Sequence, residues 1–327
     1  MKKQTKNLII MLLFLGISLG YTNNTMARTT IRVGYLPILD HLTLLVSHAH
    51  DNDNFQDVDI KPKLFKSWRE MVGALKAGVI DAAFILSPLA MDLFNQGLDV
   101  KTILLAHRDG SAITVKKRSD IYSAADLKGK SIAIPARKAT HTALLNKYLM
   151  SGGITLKDVN TKVISPPNMI KAMKLGKIDA FIVAEPFGAQ AQFLGVGDIL
   201  VLTKDIIDNH VECIVIVNNK LIQKDRPAIQ EWVNSMIRAG KWIDKDKLEN
   251  NSKQVAKITA KKYFPHSKYA VIRGLQNPYN RISFSDLNPK LADFQAIVDI
   301  SVKAEIIDNV NLEAFIDDSF YQNSPEK

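Results

Sequence analysis

One cysteine in 327 residues, Cys213, excludes an internal disulfide as a brace for the fold. It stands in the apolar run Cys213-Ile214-Val215-Ile216-Val217, where a thiol behaves as a small buried hydrophobe. Aromatic residues make up only 7%, and no Arg-rich arm or aromatic-interleaved basic stripe occurs, so no nucleic-acid partner is expected. The nucleophile elbow, the paired-histidine zinc motif and the glycine-rich phosphate loop are all missing. The stretch His48-Ala49-His50-Asp51-Asn52-Asp53 has the residue types of a metal loop but not the spacing. Taken as a calcium loop from Asp51, it puts Phe55 at the fifth position, Gln56 where glycine belongs and Pro62 at the twelfth. The sequence reads as a non-enzymatic protein with no cofactor and no metal.

Lys2, Lys3 and Lys6 precede an apolar run from Leu8 to Leu19, and Thr25-Met26-Ala27 puts small residues at −3 and −1 of a cut. That is the layout of a cleaved signal peptide over residues 1–27. The run is about a dozen residues, short of the ~20 that a membrane span needs. No cysteine follows the cut to carry a lipid, so a soluble protein in an export compartment, the periplasm, is expected. Three lysines leave with the signal and no acid does, lowering the net charge from +10 to +7. The excess is spread in pairs such as Lys116-Lys117, a mild field that favours an anionic ligand. The remaining length exceeds what one core usually supports, so two lobes are expected.

An internal repeat gives those lobes their form. Residues 71–90 align without a gap on residues 169–188, at a constant offset of 98. Ile80-Asp81-Ala82 meets Ile178-Asp179-Ala180, Gly78 meets Gly176, and Pro88 meets Pro186. Each copy predicts a helix that ends at a left-handed glycine, a short apolar strand (Ala82 to Leu86, Ala180 to Ala184) and a second helix with proline in its first turn. Ser87 and Glu185 therefore occupy matching strand-to-helix junctions. Upstream, Ile31 to Leu36 and Ser131 to Ile134 read as strands, each followed by a proline and a helix carrying His41 or His141. Second strands are expected near Val58–Leu64 and Thr161–Ile164.

Two β-α-β-α-β units imply an α/β fold of two lobes, each a mainly parallel sheet flanked by helices. Strands at Val100–Ala106 and Ala112–Lys116 flank Arg108-Asp109-Gly110, a natural hinge, and Cys213–Val217 carries the chain back. From Pro227 onward the pattern is helical. Lobe one is expected to hold residues 28–108 and 212–320, lobe two residues 109–211, with 321–327 a tail. Ligands of such sheets sit beyond the strands' carboxyl ends, where helix N-termini suit an anion. That rule selects the loops at 36–42, 66–69, 86–89, 108–112, 136–142 and 184–187.

At these residues the chain resembles the periplasmic solute-binding proteins of ABC importers for nitrate, bicarbonate, cyanate and sulfonates, a group that includes binders of pyrimidine precursors. The resemblance is nearest the nitrate/bicarbonate branch and covers most of residues 30–210. It is carried by Ser165-Pro166-Pro167-Asn168-Met169 through Ala184-Glu185-Pro186-Phe187, by Lys66-Ser67-Trp68 and by Ala139-Thr140-His141. It implies a type II periplasmic-binding-protein fold, monomeric, that closes on a small ligand at the hinge and delivers it to a membrane permease. It also implies that Trp68 floors a planar ligand and that His141 meets an oxyanion. His41, the counterpart of His141, is a lesser candidate.

Gly110-Ser111 matches a glycine-glutamine pair of the nitrate binders, with a hydroxyl in place of the amide. Gln276 stands where nitrate binders place a lysine and bicarbonate binders an acid, which weakens the case for a bare monoanion. Arg137, Lys138 or Arg273 would then have to supply the charge. Glu185 fits a helix cap better than a ligand contact, and Ser87 joins the candidates by its equivalent position. A sulfonate or a thiamine pyrimidine precursor is the alternative ligand, and ligand sensing the alternative role.

Overall fold

The computed structural model describes residues 27–327, so the expected signal peptide lies outside it except for Ala27. Two five-stranded sheets form the frame. The strands in chain order are β1 (Thr29–Tyr35), β2 (Val58–Leu64), β3 (Ala82–Leu86), β4 (Val100–Leu105), β5 (Arg108–Asp109), β6 (Ser111–Lys116), β7 (Ser131–Ile134), β8 (Asn160–Val163), β9 (Ala180–Ala184), β10 (Gly197–Leu202), β11 (Cys213–Asn218) and β12 (Ile282–Ser283). The first sheet runs β2-β1-β3-β11-β4, the second β10-β6-β9-β7-β8, and β12 pairs with β5 between them.

Strands β3 and β9 are buried at every residue, as continuous apolar runs with helices on both faces should be. The helices Trp68–Lys76 and Pro166–Lys174 precede them. Gly78 and Gly176 follow these helices with φ of 66° and 68°, the left-handed conformation expected of them. The helix after β3, Ser87–Asn95, has proline as its second residue, while Pro186 stands two places earlier, at the N-cap of Phe187–Phe193.

The α/β two-sheet architecture agrees with the repeat, with one qualification about strand direction. In the first sheet β1 is parallel to β2 and β3, but β11 is antiparallel to both β3 and β4. In the second, β7 is parallel to β8 and β9, and β6 is antiparallel to β9 and β10. Each antiparallel inner strand arrives from the opposite sheet: β6 after β4 and β5, β11 after β10. The long helix Arg226–Glu249 packs on Leu42–Asp51 beside the first sheet. No helix among the described residues is long and apolar enough to cross a membrane.

Candidate functional site

The two chain crossings meet at one place, and the polar residues there are among the most deeply buried in the molecule. His107, Asp109 and Ser111 come from the first crossing, His210, Glu212 and Cys213 from the second, and all are 5% exposed or less. Asp40 and His41 reach it from the short helical turn after β1. Thr140 and His141 open the helix Thr140–Ser151 after β7.

Glu212 is the centre of this network. Ser111 Oγ donates to its Oε1 at 2.5 Å, and His141 Nε2 lies 2.9 Å from the same oxygen. His210 Nε2 lies 3.2 Å from Oε2, and His210 Nδ1 lies 2.8 Å from Asp109 Oδ1. Burial pulls the His210 imidazole down, but Asp109 and Glu212 outweigh it and raise its pKa to about 10. Burial likewise lifts Glu212, and the neighbouring imidazoles of His141 and His210 override it, holding the carboxylate far below its ordinary range. His210 is thus a buried imidazolium bracketed by two acids.

Asp40 is in a different state. Burial raises its carboxyl to about 6, against the pull of His107 and with a push from Glu212. His107 is lowered by burial and raised more by Asp40, so its net shift is upward. The Cys213 thiol stays protonated, pushed up by burial and then by Asp40 and Glu212.

The hinge backbone explains its glycine. Gly110 has φ of 105°, and a Cβ there would lie 2.7 Å from Ile282 Cδ1 and 3.2 Å from Asp40 Oδ1. Its carbonyl accepts from the Glu185 N–H at 3.0 Å.

The lobes touch across this hinge. Ser87 Oγ and Thr140 Oγ1 are 3.3 Å apart, Ser87 N–H donates to the Glu212 carbonyl, and Leu39 N–H donates to the Glu185 carbonyl at 2.8 Å. Glu185 Oε2 accepts from Ala189 N–H at 3.0 Å, the helix cap expected of it. Its other oxygen pairs with Arg281, and both side chains are buried. Arg281 was invisible to motif reading because it lies beyond the resemblance, five residues past Gln276.

Of the sequence candidates, Gly110, Ser111, His141, Ser87 and Glu185 converge here. Trp68, first in its helix, is 3% exposed and sits edge-on to His41, with ring centroids 5.9 Å apart. His41 Nδ1 accepts from Leu36 N–H at 2.9 Å, so its Nε2 carries the hydrogen. Neither that N–H nor Trp68 Nε1 has a protein partner, although both are buried. Burial holds His41 well below the ordinary histidine pKa, hence neutral.

Gln276 is not brought to the cluster. Its amide donates to the Lys247 carbonyl and to Ser252 Oγ among the C-terminal helices. Nor do the charged candidates join it: Arg137 is exposed, Lys138 pairs with Asp92, and Arg273 contacts Tyr269. The stretch at 48–53 is a helix end whose Asp51 pairs with Arg238. Asp40, His107, His210 and Glu212 were missed because they are scattered in the sequence and only the double crossing assembles them.

Comparison with known proteins places this geometry. A nitrate/nitrite binding protein, NrtA, of Nostoc sp. is 26% identical over 261 residues, 72% of this chain. The chain spans only 58% of that relative's length. A ligand-binding component of an ABC-type import system from Staphylococcus aureus, with zinc bound, superposes with a TM-score of 0.83 at 24% identity, covering 92% of this chain and all of that one. The periplasmic nitrate-binding protein NrtA of Synechocystis gives 0.82 at 18% identity, covering 90% of this chain and 88% of its own. Both structures share the fold. A profile of the NMT1-like family matches residues 25–260, more than half of the sequence, and the chain belongs to that family.

Proposed function

We propose that this protein is the solute-binding component of an ABC importer, trapping a small anion of the nitrate, bicarbonate or cyanate class between its lobes and passing it to a membrane permease. The observation that carries this reading is the pair of buried, unpartnered N–H donors, Trp68 Nε1 and His41 Nε2, beside the hinge. A buried donor without an acceptor costs about 1–3 kcal/mol. A planar oxyanion accepting from both would offset that cost and use the indole as a wall. The Nostoc relative, a nitrate/nitrite binding protein, supports the ligand class. Export to the periplasm and a monomeric state belong to the same proposal.

The test is a thermal-shift panel of nitrate, nitrite, bicarbonate, cyanate, alkanesulfonates and pyrimidine precursors. A cognate anion at 100 times its dissociation constant should stabilise the fold by about 2.7 kcal/mol. Trp68→Phe keeps a smaller aromatic ring and removes the donor, so it should weaken that ligand by about 1.5–3 kcal/mol, the range for a hydrogen bond to a charged group. Trp68 is packed in the core, so the ligand-free melting point should also fall, and the loss of binding is read as the ligand-induced shift of each folded protein. A response confined to an organic sulfonate or pyrimidine would replace the small-anion reading, and a response to none would remove it.

A further inference from the structure

We propose that Asp40, His107 and Cys213 form a binding site for one divalent transition-metal ion of the zinc class. The topology builds this cluster from three distant segments. Strand β11 lies beside β4, and the Ala106 N–H donates to the Cys213 carbonyl at 3.0 Å, which sets His107 next to the thiol. The turn after β1 brings Asp40 to the same end of the sheet.

The three candidate ligand atoms all lie within 4.8 Å of one another. Asp40 Oδ2 is 3.2 Å from His107 Nε2 and 3.8 Å from Cys213 Sγ. With zinc bonds of about 2.3 Å to sulfur and 2.0–2.2 Å to nitrogen or oxygen, tetrahedral ligands stand roughly 3.3–3.6 Å apart. Those two separations bracket that edge, and the third, between His107 and Cys213, lies within 4.8 Å.

Charge and chemistry agree with the spacing. Four carboxylates are buried around the hinge: Asp40, Asp109, Glu185 and Glu212. Arg281 answers Glu185, and His210 lies between Asp109 and Glu212. Asp40 has only the His107 imidazole and the Cys213 thiol within polar contact, and its Oδ1 has no partner. Glu212, held by Ser111, His141 and His210, is occupied elsewhere. A thiolate and an imidazole favour zinc-like ions, whereas calcium and magnesium take oxygen shells. Binding exchanges the Cys213 S–H bond for a sulfur–metal bond, and that proton leaves to solvent together with any proton on the metal-binding atoms of Asp40 and His107. Three protein ligands leave one position for water or another small ligand.

The site stands apart from the importer reading, and it is tested with metal alone. Untagged protein stripped with chelator is titrated with Zn²⁺ in competition with a chromophoric chelator, and with Co²⁺ followed by absorption. One ion per chain is expected, with a thiolate-to-cobalt charge-transfer band that Cys213→Ala abolishes. Losing an outer partner of a metal ligand costs about 10–100-fold in affinity, so Asp40→Asn and His107→Gln should each cost at least tenfold. Circular dichroism confirms which variants fold, and the cobalt spectrum of the unaltered protein is decisive whether or not they do. Absence of stoichiometric binding, or a cobalt complex without the thiolate band, would overturn the site. Either outcome leaves the anion panel untouched.

Discussion

Glu185 holds its place through both oxygens, one on the Ala189 N–H and one on Arg281. Burial raises its carboxyl, and Arg281 with the Ala189 N–H pulls it back only part of the way. Removing one partner of a buried pair strands the other, at about 3–5 kcal/mol. Arg281→Met should therefore destabilise by that order in urea denaturation, while the double replacement Arg281→Met with Glu185→Leu should recover much of the loss. A double variant as unstable as the single one would show that the pair is not what holds Arg281. At this scale the sequence was partly legible. Glu185 as a cap follows from its position before Pro186-Phe187, and Gly110 from its place between two strands. Gln276 was drawn in by a weak alignment, whereas Arg281 had no local signal. Asp40, His107 and Glu212 look like ordinary surface residues until their neighbours across the sheet are known.

Elements were read more securely than residues. Ala82–Leu86, Ser131–Ile134 and Ala180–Ala184 are strands at the expected bounds because short apolar runs between turn residues have few other solutions, and Val58–Leu64 is one by its alternation. Strand β10 was missed. It lies at an edge of its sheet, where Ile199–Leu202 is an apolar run that is only partly buried. Strand direction was illegible for the same physical reason: local patterning reports burial, and β6 and β11 are set antiparallel by where the chain came from. The helix that begins at Trp68 is fixed at its first turn by Ser67, whose side chain accepts from the Glu70 N–H. Ser67→Ala should lower stability by about 1 kcal/mol, the usual value of an N-cap. No change in the denaturation midpoint would mean that packing alone sets the start of that helix.

At the scale of the whole molecule, His266 joins the lobes. Its Nε2–H donates to the Pro37 carbonyl at 2.7 Å, and its Nδ1 lies 2.9 Å from Gln190 Nε2 of the helix after β9. Burial lowers its pKa, only partly offset by the Pro37 bond. A histidine depressed in the folded state binds its proton more readily when unfolded. Its contribution is therefore complete above the ordinary histidine pKa of about 6.5 and is lost as pH falls from there through the folded value. The difference in melting temperature between the unaltered protein and His266→Gln should be constant above pH ~7 and shrink below it. Parallel curves would free His266 from that role.

The double crossing has a consequence for how the gene can be cut. Strand β11 fills the position between β3 and β4, yet it is encoded after every strand of the other sheet. A product ending near residue 211 would carry both β-α-β-α-β copies and still leave β3 and β4 facing a gap, each with an unsatisfied edge open to foreign strands. Neither half is a self-sufficient module, so reporter insertions belong in surface turns outside the exchange rather than at the boundary between the lobes.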